Sequence, residues 1–387
     1  MPKIVSLTTT YDEHYHALRG EEVKRNLSWG KRRDLFRCLE SATGREVIVL
    51  SPPPKALDRR SPRWLAPVET KFSTHRQLFC ANWDIPRLRV PLSWFFYARH
   101  VVRHVESEDL VVMDNYEIGQ ILSVCWLRLW RKVVVILDYE DGAHLIPRFA
   151  ARLANWVAEG IGQRLLRGAF LVHPGLDQRL PAGLPVELTP GFLVPPEKLA
   201  RPNPGEPVRF LYSGTLDSAR GVELLLKALE RLPPIGWRLD ITGFGPLTES
   251  VARAAAATCW QGRVMFHGSL PQPDYQALLK ACHVGLNCQM SNDPISEVTF
   301  PSKVFAYLSA GLLVVSSRAS ELERICGSAC VYYAEDTPES LAKVMQEVIA
   351  NFAVVRARAD TRQAVERYSI PGTGARLKQL LARTGVQ

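Results

Sequence analysis

The chain has 387 residues, 48 Lys and Arg against 39 Asp and Glu (net charge +9), and 47% hydrophobic residues. At about 100–200 residues per domain this length suits two domains, and the apolar fraction excludes a disordered chain. No apolar run approaches the ~18 residues of a membrane span, and the basic excess, spread along the chain, suits an anionic partner such as a nucleotide or a phospholipid surface.

The first segment, MPKIVSLTTTYDEHYH, turns polar at once, so a secretory leader is not expected and a cytoplasmic chain is, with the inner face of a membrane as a second place of work. Strand-like runs follow at 3–7, 46–50, 110–113, 133–137 and 170–173, with helical patterns at 30–41, 94–105, 118–130 and 148–167 between them. The alternation predicts βα units and a parallel sheet with helices on both faces. Eight cysteines are scattered through apolar segments with no C-x-x-C pair, and read as reduced packing residues. No metal site is expected.

Residues 190–207, PGFLVPPEKLARPNPGEP, read as a linker by their Pro and Gly content. The alternation then resumes. Strand runs at 208–212, 238–242, 264–267, 284–287, 313–316 and 330–333 enclose helices at 221–231, 247–257, 273–281, 302–309 and 338–350. A last helical pattern at 375–383 closes the chain. The expected organisation is a first Rossmann-like domain over 1–195, a Pro-rich linker at 196–207 and a second Rossmann-like domain over 208–365. A terminal helix within 366–387 is a candidate to pack back on the first domain.

Candidate site residues sit where predicted strands end. In the second half, Gly214 ends a strand and lets backbone approach a ligand. Arg220 precedes Gly221 and the next helix, where a guanidinium can bind phosphate. Gly243 and Gly245 clear space above another strand end. Ser302 and Lys303 lie beside a helix start, where a lysine opposes the helix dipole and a pyrophosphate would supply the missing negative charge.

In the first half, VVVILDYEDGAHL carries an apolar strand straight into Asp138, Glu140 and Asp141. Glu140 or Asp141 is a candidate to accept a hydroxyl proton or bind sugar hydroxyls; a helix cap would explain Asp138 or Asp141 as well. Asn115 and Tyr116, at the neighbouring strand end, suit a hydroxyl-rich ligand, or a turn with a packed ring. Segments 93–105 and 121–134 mix aromatic and basic residues at helical spacing, which suits core with a solvated rim, or contact with an anionic membrane.

Four of these motifs, in order, resemble the nucleotide-sugar-binding half of GT-B-fold glycosyltransferases, most closely glycosyltransferase family 4. They are Gly214 with Arg220–Gly221, TGFGPL at 242–247, FHGSLP at 266–271 and PSKVFAYLSAG at 301–311. The resemblance covers about 208–365. It implies two Rossmann-like domains facing across a cleft, with donor bound by the second and acceptor by the first. It also implies a retaining, metal-independent transfer without a cofactor, from a nucleotide sugar to a glycan or lipid-linked acceptor, in cell-envelope or exopolysaccharide synthesis. Nucleic acid is not an expected partner.

The chain departs from the family where Arg usually follows the first glycine: here it is Thr215. Ala306 stands for the Glu that holds the ribose, and Val298 for its companion, with Glu297 as a neighbouring substitute. These losses favour a second reading, a non-catalytic partner of an active transferase. At the strand end where the family often has a donor-contacting His, this chain has Glu140 and Asp141, with His144 just beyond.

Overall fold

The computed structural model describes residues 2–11, 15, 29–53, 64–72, 75–85, 88–140 and 149–386. The chain divides into two compact units, one of residues 1–189 with 370–387 and one of residues 190–369.

The first unit is built on β1 (Ile4–Leu7), α1 (Trp29–Thr43), β2 (Val47–Ser51), β3 (Trp64–Leu65), β4 (Val68–Lys71), β5 (Arg76–Phe79), β6 (Asn82–Trp83), α2 (Arg89–His104), β7 (Leu110–Asp114), α3 (Ile118–Arg128), β8 (Val134–Tyr139), α4 (Phe149–Gln163), β9 (Gly168–Leu171) and β10 (Val186–Leu188). Its main sheet runs β10-β9-β8-β7-β1-β2-β5-β4, parallel throughout except for β4. β1, β2, β7 and β9 are buried along their whole length, as a sheet covered on both faces requires. The strand order reverses between β1 and β7, the place where such sheets bind ligands beyond their carboxyl ends.

The second unit contains β11 (Val208–Ser213), α5 (Val222–Leu229), β12 (Trp237–Thr242), α6 (Thr248–Ala256), β13 (Val264–Phe266), α7 (Gln272–Ala281), β14 (Val284–Asn287), α8 (Lys303–Ser309), β15 (Leu313–Ser316), α9 (Leu322–Cys326), β16 (Cys330–Tyr332), α10 (Pro338–Ala350), α11 (Phe352–Ala357) and α12 (Arg362–Tyr368). Its all-parallel sheet runs β13-β12-β11-β14-β15-β16, so the order reverses between β11 and β14. Phe210, Tyr212, Leu239, Leu286 and Val315 fill one side of it against α5 and α10.

The structure departs from the sequence expectation in four places. The units divide at 189/190 rather than across 196–207. The short strands β3 to β6 come from segments too brief and too polar to show a period. Residues 352–368 hold two short helices that the expectation lacks. The last helix, α13 (Ile370–Arg383), begins five residues before the expected Ala375. Pro371 sits in its first turn, where a missing N–H costs nothing. Gly374 is buried within α13, and a Cβ there would lie 3.6 Å from the Cys38 carbonyl oxygen on α1.

Candidate functional site

At the reversal of the second sheet, three loops are fixed by glycines that nothing larger could replace. Gly214 (φ +128) follows β11 and Gly243 (φ +143) follows β12; a Cβ on Gly243 would lie 1.8 Å from the Gly214 carbonyl oxygen. Gly245 backs onto Leu216 in the same way, at 2.4 Å from its carbonyl oxygen. Gly221 (φ +69) caps α5, with a would-be Cβ 1.9 Å from the Cys288 carbonyl oxygen just past β14. The four glycines clamp the ends of β11, β12 and β14 into one floor.

Lys303, the first residue of α8, reaches over that floor. A Cβ on Gly214 would lie 3.5 Å from its Nζ. The ammonium is buried, has no hydrogen-bond partner among the described residues, and stands 4.0 Å from the centre of the Tyr212 ring. Burial, more than any neighbouring charge, pulls its pKa down to about 8. Tyr212 is held by hydrogen bonds from its hydroxyl to the carbonyls of Thr215 and Arg220, both at 3.2 Å. Arg220 is half-buried and paired with Asp217 at 2.6 Å, while its own N–H donates to Asp217 Oδ1. Two cationic side chains therefore stand near a glycine floor, one of them with no ion-pair partner among the described residues.

Around this floor, Tyr307 accepts the Ser213 N–H at 2.8 Å. Ser302 is exposed at the start of α8. Glu297 is exposed on a short turn (Pro294–Glu297), while Val298 points into the core and Ala306 is half-buried. Past β15, Ser320 and Glu321 hold consecutive left-handed conformations (φ 59 and φ 56) that their side chains do not favour. His267 is a packing residue: its Nε2 lies 2.8 Å from Asp240 Oδ1.

At the reversal of the first sheet the structure gathers carboxylates around a residue the sequence concealed. Arg32, on α1, is 2% exposed. It is ion-paired with Asp114, with Asp138 at 3.3 Å and with Glu140 at 3.1 Å. Lys31 reaches Glu140 at 2.8 Å, and Thr8 donates to Asp114 at 2.8 Å. Asn115 adopts φ 51; its amide donates to Asp114 at 3.1 Å and its carbonyl accepts the Glu140 N–H at 2.8 Å. Lys31 and Arg32 overcome the burial of Glu140 and hold its carboxyl down to about 2. Burial, reinforced by Glu140, lifts Asp138 to about 7, and burial lifts Asp114 to about 6.

Glu140 is thus ion-paired with both Arg32 and Lys31. Asp141 and His144 lie outside the described residues. Tyr116 turns inward: it is buried against Tyr139, with ring centroids 5.2 Å apart, and a Cβ on Gly162 would lie 2.6 Å from its ring. It is a core residue.

α2 and α3 pack together and carry no Asp or Glu. Phe95, Leu122, Leu129 and Trp130 stand exposed on them and just beyond, with Trp156 and Ile161 on α4. Arg99, Arg103, Lys132, Arg164 and Arg167 are exposed on the same helices and the turns that follow them. Among the described residues no helix is long and apolar enough to cross a membrane.

The family of glycosyl transferases group 1 matches residues 207–351. No curated protein sequence matches the chain. Among solved structures, HepE of Anabaena in complex with UDP and glucose superposes with a TM-score of 0.70 at 13% identity, over 99% of this chain and 100% of that one. Sucrose-phosphate synthase of Thermosynechococcus elongatus gives 0.66 at 15% identity, over 99% of each chain. A UDP-forming α,α-trehalose-phosphate synthase of Burkholderia xenovorans with glucose-6-phosphate gives 0.67 at 11% identity, over 98% of this chain and 100% of that one. The chain thus has the GT-B fold, and its second unit carries a glycosyltransferase domain of group 1.

Proposed function

We propose that the protein transfers a sugar from a nucleoside-diphosphate donor held by its second unit to a glycan or lipid-linked acceptor held by its first. The observation that carries this reading is Lys303: a buried ammonium with no hydrogen-bond partner among the described residues, above a glycine floor at the strand reversal. An uncompensated buried cation is costly, and a diphosphate would supply its missing charge. As the glycosidic bond breaks, negative charge grows on the departing phosphate; Lys303 and Arg220 would stabilise it there. With Glu140 committed to Arg32 and Lys31, the acceptor proton would pass to that same phosphate oxygen, which suits retention at the anomeric carbon. Ser302 and the backbone at Gly214 and Gly243 would complete the phosphate contacts, and Glu297 is left to reach the ribose. The cationic side chains make a metal unnecessary for this step.

The exposed aromatic and basic face of α2, α3 and α4 supports a working place at an anionic membrane surface, where lipid-linked acceptors for envelope or exopolysaccharide synthesis reside. Calorimetry with uridine, guanosine and adenosine diphosphates, each with and without a chelator, tests the central claim. Binding of at least one, unchanged by the chelator and lost in Lys303→Met, is expected. A protein that binds none of them overturns the reading.

A further inference from the structure

A pocket of about 190 Å³ opens in the first unit beyond the ends of β1 and β2, against the starts of α2 and α3. Thr9, Arg89, Trp94, Glu117, Gly119 and Gln120 line it. It suits a single sugar ring better than a nucleotide. The residues differ from those that the sequence motifs single out: Tyr116 is in the core, and Asn115 is bound to Asp114 and Glu140.

Its chemistry is specific. Glu117 accepts the Thr9 hydroxyl at 2.8 Å, which uses part of one carboxylate oxygen and leaves the other to accept further donors. Gln120 is 1% exposed. Its Oε1 accepts the Asp114 N–H at 2.8 Å, and its Nε2 is buried with no partner among the described residues. A buried amide N–H2 without an acceptor is rare unless a ligand or water supplies one. Trp94 is half-buried and offers an indole to the same space. The indole sits where it does because residue 119 is glycine: a Cβ there would lie 2.8 Å from Trp94 Cδ1. Arg89, 3.5 Å from Asp84, adds donors at the rim. Hydroxyl donors would meet Glu117, a hydroxyl acceptor would meet Gln120, and the apolar face of a ring would meet the indole.

We propose that this pocket is the acceptor subsite and that it takes a neutral pyranose, with vicinal hydroxyls on Glu117 and Gln120 and the ring against Trp94. The proposal rests on the glycosyltransferase reading and deepens it. Glu117 and Trp94 would then set which sugar the enzyme extends.

Saturation-transfer NMR with methyl α-glucoside, methyl α-galactoside and methyl α-mannoside tests it on the full chain. At least one glycoside should receive saturation on its ring protons from the wild-type protein. Glu117→Gln and Gly119→Ala should each weaken that binding by about tenfold or more, the scale of losing a hydrogen bond to a charged group. Trp94→Phe, which keeps an aromatic face, should retain most of it. Nucleoside-diphosphate affinity should be unchanged in all three, and their melting curves show whether each is folded. Equal saturation in wild type, Glu117→Gln and Trp94→Ala would overturn the proposal, as would no saturation of a wild-type protein that binds a nucleoside diphosphate. A protein that binds glycosides here but no diphosphate would instead keep the sugar pocket and remove the transferase reading.

Discussion

The Lys303 ammonium stands 4.0 Å from the centre of the Tyr212 ring, and this ring is its neighbour in place of a carboxylate. A desolvated cation–π contact contributes about 2 kcal/mol, while burying an ammonium costs several. The apo protein therefore carries a local cost that a bound anion removes. Lys303→Met should leave the melting temperature of the apo protein unchanged or raise it, while diphosphate affinity falls by about tenfold or more. A variant that melts lower and still binds the diphosphate normally would refute this account.

The same residue predicts a proton balance. Its pKa is about 8 in the free protein, and a diphosphate must draw it back up towards the usual lysine range. Between about pH 8 and 10, binding should therefore take up a proton, and affinity should fall as pH rises through that window. Calorimetry in buffers of different ionisation enthalpy reads the uptake directly. No uptake at pH 9, with binding still present, would count against Lys303 as the phosphate contact.

The carboxylates around Arg32 predict an unusual pH slope. Asp138 and Asp114 titrate higher in the folded chain than when unfolded, so the folded state holds the extra protons. Their contribution is fully present below about pH 4 and is lost as pH rises through about 6 to 7. Glu140 works in the opposite sense, losing its contribution only as pH falls below the usual carboxyl range towards 2. Asp138→Asn keeps the shape and removes the titration. Relative to wild type, the variant should gain melting temperature between pH 5 and 8. An equal pH slope in the two proteins would show that Asp138 is ionised throughout.

Backbone strain gives a paired test. Ser320 and Glu321 occupy left-handed conformations; glycine at Glu321 should stabilise the second unit by roughly 1 kcal/mol, while glycine at Ser320 gives no net gain because it also removes the buried hydrogen bond that the Ser320 hydroxyl accepts from Gln289 at 2.7 Å. Gly243→Ala should do the reverse and cost ~2 kcal/mol or more, because its Cβ would meet the Gly214 carbonyl oxygen at 1.8 Å. Chemical denaturation of the three variants decides both signs.

For the basic and aromatic face, flotation with vesicles is the direct measurement. Wild-type protein should float with phosphatidylglycerol vesicles, less with phosphatidylcholine, and less at high salt. Leu129→Ser with Trp130→Ser, both on well-exposed positions, should reduce flotation without lowering diphosphate affinity. Undiminished flotation of the variant would place the membrane contact elsewhere, and a wild-type protein that does not float would remove it.

The second unit was far more legible in the sequence than the first, for a physical reason. Gly221, Gly243 and Gly245 are each required by a backbone contact too close for a Cβ, and Gly214 by its φ of +128, so they mark strand ends without ambiguity. Lys303 was legible because a lysine at a helix start needs an explanation. In the first unit the decisive residue was Arg32, which in sequence is one of three consecutive basic residues, Lys31–Arg33, and looks like part of a solvated basic run. Its signal was the spacing: 32, 35, 36 and 39 form one buried stripe on α1, and an arginine on such a stripe must meet buried acids. Of the two readings open for Asn115 and Tyr116, the structure has the turn with a packed ring: a left-handed Asn turns the chain, and the following ring lies in the core. Glu117 and Gln120 gave no motif at all; only the fold sets them beside Trp94.

Helix α13 belongs to the first unit although it comes last in the chain. It packs on α1, Arg376 bonds Glu187 at 2.7 Å, and Thr384 lies against Gly168. The intervening second unit is continuous, 180 residues from Pro190 through Ser369. On a ribosome adding about 5–20 residues per second, those residues take roughly 10–40 s. For that time the first-made unit lacks one of its walls, and the apolar side of α1 that α13 covers stays open. The second unit can close on itself as it emerges. The half of the protein that is translated first is therefore the half that matures last, and it is the half that holds the sugar pocket and the basic face.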